Sequence, residues 1–114
     1  MVLIAKVVDI GTVAAGATES KKDTVEQDYI LRKVLILEKG GTALNNVYVT
    51  MRIDNNFITK EAVLATVYQV NFNQAPPVDV EYRKGATLHI SVENKSSSDV
   101  NVQAVLFLEP VGTA

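Results

Sequence analysis

The chain contains one histidine, His89, which lies two residues before Ser91 in the run Thr-Leu-His-Ile-Ser. Residues i and i+2 of a strand point to the same face, so a serine nucleophile and an imidazole base could meet here. However, no Gly-x-Ser-x-Gly turn surrounds Ser91, and no carboxylate is marked to orient the ring. We therefore expect His89 to be a solvent-facing strand residue, and we predict no catalytic residues.

Acidic residues suggest two other kinds of site. The run Asp-Asn-Asn from Asp54, with Glu61, offers oxygen ligands for calcium but lacks the glycine and final glutamate of an EF-hand loop. We expect a hairpin turn there. Asp79 and Glu81 share a strand face at a spacing that suits glycoside hydrolysis, but Arg83 follows on the same face as a charge partner. We expect exposed surface charges.

Composition excludes several classes of function. The chain has 114 residues, no cysteine and one histidine, so thiolate metal sites, iron–sulfur clusters and multi-histidine sites are excluded within one chain. We predict no metal and no cofactor. The formal net charge of −2, with no Lys/Arg run longer than two, argues against nucleic acid as a partner.

The sequence predicts neither a membrane span nor a signal peptide. No stretch has the roughly 18 apolar residues that span a bilayer. The apolar N-terminal run to Ile10 carries Lys6 and Asp9, which favours a strand over a signal peptide. A glycosylation sequon at Asn94-Lys-Ser96 is a short pattern that arises by chance, so we infer no secretion from it.

The elements that must position these residues are strands. Valine, isoleucine and threonine number 18, 7 and 9, and such β-branched side chains fit a pleated sheet better than a helix. Apolar and polar residues alternate along Val47–Asp54 and along Ala86–Glu93, which is typical of half-buried antiparallel strands.

We expect one all-β domain over residues 1–114, an antiparallel β-sandwich with jelly-roll or Greek-key topology. One or two helical turns are predicted at 59–65, and a polar loop or arm at about 11–26. Strands are predicted near 2–10, 29–38, 46–54, 67–72, 78–83, 86–93 and 100–108.

Some strands are apolar on both faces, which predicts a covered outer surface. Val105 and Phe107 lie on the face of the last strand opposite its core set, and Leu35 and Leu37 end a continuous apolar run. We predict these four residues as a subunit interface of a homo-oligomer. Alternatively, the chain's own segment 11–26 could pack over these residues and shield them from water.

Taken together, Val47–Asp54, Val78–Val92 and Val100–Leu108 resemble small jelly-roll virion proteins of bacteriophages and archaeal viruses. This resemblance implies a non-enzymatic structural subunit of a capsid, decoration or turret type, located in the virion, whose partners are itself and possibly other virion proteins. The alternative is a β-sandwich binding module for glycans or for a protein partner.

Overall fold

The alternating segments form strands that pair into two antiparallel sheets packed face to face. The computed structural model describes residues 2–111, and 55 % of the model is strand and 5 % is helix. The strands are β1 (Ile4–Val13), β2 (Thr18–Thr24), β3 (Tyr29–Glu38), β4 (Val47–Ile53), β5 (Asn56–Phe57), β6 (Val63–Leu64), β7 (Val80–Tyr82), β8 (Thr87–Asn94) and β9 (Val100–Pro110).

The strand order is that of a jelly roll. The β1 sheet has the order β1-β9-β3-β7, and the β2 sheet has the order β2-β8-β4-β5, with β6 also on β4. Strand β1 pairs with β9, β2 with β8, β3 with β7, and β4 with both β5 and β6. The strands of the first half of the chain therefore pair with those of the second half in reverse order. Strands β1 to β4 also alternate between the two sheets. This topology is that of a double-sheet jelly roll. The predicted fold class is confirmed.

The core lies between the sheets and follows the predicted alternation. Every second residue of β4 and of β8 is buried, from Val47 to Ile53 and from Leu88 to Asn94. The inward set of β9 is buried in the same way, from Val100 to Leu108. These side chains alternate with outward ones because successive residues of a strand point to opposite faces.

The predicted loop or arm at 11–26 is wrong for most of its length. Gly11 and Val13 belong to β1, and Thr18–Thr24 forms β2, which pairs along its whole length with β8. The strand lies at the edge of its sheet and is polar on both faces, so it has no apolar alternation that would reveal it. Charged residues on an edge strand also discourage pairing with other chains.

The predicted helix at 59–65 and strand at 67–72 are also wrong. Thr59 is buried, and its hydroxyl accepts a hydrogen bond from the Met51 amide of β4 at 3.0 Å, so it does not cap a helix. After β6 the chain makes only short 3-10 turns, at Ala65–Val67 and Phe72–Gln74. Between them the Tyr68 carbonyl accepts a hydrogen bond from the Ile36 amide, so the segment runs along the free edge of β3.

Candidate functional site

The outer face of the β1 sheet carries the predicted interface residues. The ladder places Val7, Val105 and Leu35 side by side on β1, β9 and β3, and places Phe107 one row along between Ala5 and Lys33. We call Val7, Val105, Leu35, Leu37 and Phe107 the apolar face. Val7 is 55 % exposed, Leu35 is 9 % exposed, and the other three are half-buried.

A different segment from the one predicted covers part of the apolar face. Phe72, in the second 3-10 turn, packs edge-on against Phe107 with ring centroids 4.8 Å apart. The Lys33 ammonium lies 4.5 Å from the Phe72 ring centroid and donates to the Phe72 carbonyl at 2.8 Å. Segment 11–26 is therefore not this cover, because its strand β2 belongs to the opposite sheet. Val7 remains exposed to solvent, and Val105 and Leu37 remain partly exposed.

The outer face of the β2 sheet carries polar side chains in rows across three strands. Lys22, His89 and Arg52 are register partners on β2, β8 and β4, and Ser20, Ser91 and Thr50 form the next row. These six residues, which we call the polar grid, line a depression of about 480 Å³ together with Lys21 and Ile90. The rows arise from register, so no local sequence motif marks them.

The cations of the polar grid are Lys22 and Arg52. Among residues 2–111, neither Lys22 nor Arg52 forms an ion pair, although Arg52 donates to the Asp54 carbonyl at 2.5 Å. Partial burial lowers the pKa of His89, and Arg52 and Lys22 lower it further by repulsion. The Asp54 carboxylate acts in the opposite direction but does not outweigh these effects, so the lowered pKa favours the neutral imidazole between the two cations.

His89 and Ser91 share a face as the sequence indicated, but they are not arranged as a catalytic pair. The Ser91 hydroxyl accepts a hydrogen bond from the Ser20 hydroxyl at 3.2 Å across the strands. In the part of the chain that the structure describes, no hydrogen bond joins Ser91 to His89. The lowered pKa also makes His89 a weak base.

The acidic candidates have structural partners. Asp54 lies in the β4–β5 hairpin turn with a φ of 50°, and its carboxylate accepts a hydrogen bond from the Thr87 amide at 3.1 Å. Asp79 accepts one from Arg32 at 3.1 Å. Glu81 pairs with Arg83, as predicted, and this hydrogen bond lowers the pKa of Glu81 and disfavours a general-acid role. Within residues 2–111, no cluster of three or more His, Asp or Glu could hold a metal ion.

The sequon asparagine has a structural role. Asn94 is fully buried at the end of β8, and its amide donates to the carbonyls of Val13 and Ser98 at 3.0 and 2.8 Å. Its side-chain oxygen accepts hydrogen bonds from the amide and hydroxyl of Ser96. Because both of its amide hydrogens are used, Asn94 is not available for glycosylation in the folded protein.

In the described range 2–111, no helix has the length and apolar character needed to cross a membrane. Comparison of the chain with models of protein families, with curated proteins and with solved structures finds no match.

Proposed function

We propose that the chain is a non-enzymatic structural subunit that assembles with copies of itself in a virion. The observation that carries this proposal is the exposed part of the apolar face, where Val7 is 55 % exposed beside the half-buried Val105. Apolar surface that remains in water after folding favours association, at roughly 25 cal/mol per Å² removed from water.

A second copy of the chain is the partner that this surface fits. A two-fold contact places the same patch on both subunits, so Val7 and Val105 of each copy meet apolar residues of the other. A stable interface buries about 800 Å² on each partner, which is more than these side chains supply. The contact would extend along the sheet to the neighbouring depression, which Leu3, Phe72 and Pro77 help to line.

The jelly-roll topology supports the virion as the setting of this assembly. Viral capsid domains are one class of protein with this architecture, and lectin domains are another. The fold alone does not choose between them, because one fold serves many functions. The apolar outer face favours the structural subunit, since assembly requires a surface that binds a second copy.

The mass of the protein in solution tests the assembly. We expect light scattering coupled to gel filtration to show a homo-oligomer at tens of micromolar, and electron microscopy to show symmetric particles. Val7→Asp is expected to yield a smaller species whose circular dichroism spectrum is unchanged, because a charge on the exposed edge strand blocks the contact without entering the core.

Thr12→Asp is the matched control. Thr12 is exposed on the same strand, and its register partner Asn101 places it at the polar end of the sheet. The same charge there should leave the oligomer intact. A monomeric wild-type protein would overturn the proposal, as would equal dissociation by the two variants.

A further inference from the structure

We propose that the polar grid binds a small acidic carbohydrate, a sugar with one anionic group beside its hydroxyls. The polar grid lies on the β2 sheet, opposite the apolar face. The site is therefore independent of the proposed assembly, and either proposal can fail without the other.

The first row of the polar grid provides the anion contact. Lys22, His89 and Arg52 occupy neighbouring strands, whose spacing of about 4.8 Å brings the three side chains over one area of the sheet. An oxyanion above His89 can be reached by the Lys22 ammonium and by the Arg52 guanidinium. Arginine is suited to this contact because its planar N–H groups match the oxygens of a carboxylate or phosphate.

The second row provides hydroxyl contacts. Ser20, Ser91 and Thr50 lie about 7 Å further along the strands, two residues from the cation row. Hydroxyl groups both donate and accept hydrogen bonds, as do the hydroxyls of a sugar. A ligand with an acidic group at one end and hydroxyls along its ring therefore matches both rows.

Two cations beside the depression, Lys22 and Arg52, form no ion pair within the described chain. Arg32 and Arg83 form ion pairs with acidic residues, whereas Arg52 and Lys22 do not, although the formal net charge of the chain is −2. The volume of about 480 Å³ lies within the range of small-ligand sites. Among the described residues, no aromatic side chain lines the depression, so this lining lacks the stacking surface that single-stranded nucleic acid uses.

Because His89 is the chain's single histidine, its imidazole proton resonance reports on this site directly. The charged groups that face it are Lys22 on β2, Arg52 on β4 and Asp54 after β4. A bound anion offsets the repulsion from the two cations and therefore raises the pKa of His89. We expect the pH midpoint of the resonance to move upward with D-glucuronate or D-glucose 6-phosphate; the tighter ligand identifies the preferred anionic group.

The controls separate specific binding from screening. D-glucose, which is uncharged, should leave the midpoint unchanged. Sodium chloride at the ionic strength of the acid screens the two cations and should raise the midpoint less than the acid does. Arg52→Gln should weaken binding about tenfold, since it removes a charge-assisted contact. Lys60→Gln makes the same change of charge at an exposed residue outside the depression and should bind as the wild type does. A midpoint that does not move with either acid overturns the proposal. So does inorganic phosphate binding as tightly as the sugar phosphate, because hydroxyl contacts would then contribute nothing.

Discussion

Phe72 packs edge-on against Phe107, with ring centroids 4.8 Å apart and an angle of 67° between the rings. Phe107 lies in the middle of the β1 sheet, and Phe72 belongs to a turn that follows the edge of β3. The chain thus shields one of its own outward aromatic residues. The remaining candidate contact for a second copy centres on Val7 and Val105.

Phe72→Ala should destabilise the fold. The variant removes a half-buried ring and exposes Phe107, and loss of the aromatic pair and of apolar burial together should lower the free energy of unfolding by about 1–3 kcal/mol. Urea denaturation followed by circular dichroism measures this change.

Phe57→Ala is the control for this experiment. Phe57 is 58 % exposed on β5, so its removal should change the free energy of unfolding by less than about 0.5 kcal/mol. Equal losses in the two variants would show that Phe72 does not pack on Phe107 in solution.

Asn94→Asp should be strongly destabilising. The substitution replaces two buried N–H donors by a carboxylate that faces the carbonyls of Val13 and Ser98. We expect a loss of about 2–4 kcal/mol in the free energy of unfolding at neutral pH. Thermal melting compares this variant with Asn45→Asp, at an exposed residue, which should melt close to the wild type. A mild effect at Asn94 would contradict the buried network.

Tyr82→Phe should reduce stability and change its dependence on alkaline pH. The buried Tyr82 hydroxyl donates to the carbonyl and the carboxylate of Asp23 at 2.6 and 2.8 Å, so we expect a loss of about 1–2 kcal/mol at pH 7. Burial, and then the Asp23 hydrogen bond, raise the pKa of Tyr82 above its usual value near 10.

The sign of the pH effect follows from this raised pKa. Above about pH 10 the unfolded chain releases the tyrosine proton while the folded chain keeps it, so wild-type stability falls as pH rises. The fall should be smaller in Tyr82→Phe, whose residue cannot ionise. Urea midpoints measured between pH 7 and pH 11 provide the comparison, and parallel curves would be inconsistent with a buried, protonated Tyr82.

EDTA should leave the melting temperature unchanged. Asp54 uses its carboxylate on the Thr87 amide within the hairpin, and loss of a tightly bound ion would lower stability by mass action. Scanning calorimetry with EDTA and with added calcium checks this. A decrease of several degrees on chelation would indicate a calcium site between Asp54 and Glu61.

Individual strands of the jelly roll could be predicted from the sequence where one face of the strand is apolar and the other is polar. The alternation of apolar and polar residues in β4 and β8 indicated which residues are buried. In a strand with one buried face, every second residue points into the core. The same reasoning could not find β2, whose residues from Thr18 to Thr24 are all polar. Its strand conformation comes from hydrogen bonds to β8 rather than from burial of its own side chains.

In the segment 59–72 the error is the opposite one, because the sequence predicts a helix and a strand that the fold does not contain. Good helix formers around Glu61 favour a helix locally, and Tyr68 to Phe72 has the composition of a strand. In the fold, Val63 pairs with β4 and the Tyr68 carbonyl binds the edge of β3, so contacts with distant strands outweigh the local preference.

The all-β class, the inward set of the main strands and the surplus apolar residues on β3 and β9 could all be inferred from the amino-acid sequence. These properties depend on side-chain type and period, which are local. The packing of Phe72 on Phe107 and the row formed by Lys22, His89 and Arg52 could be seen only in the folded chain. Both arrangements depend on the register between strands distant in sequence, and hydrogen bonding between those strands sets that register only when the chain folds.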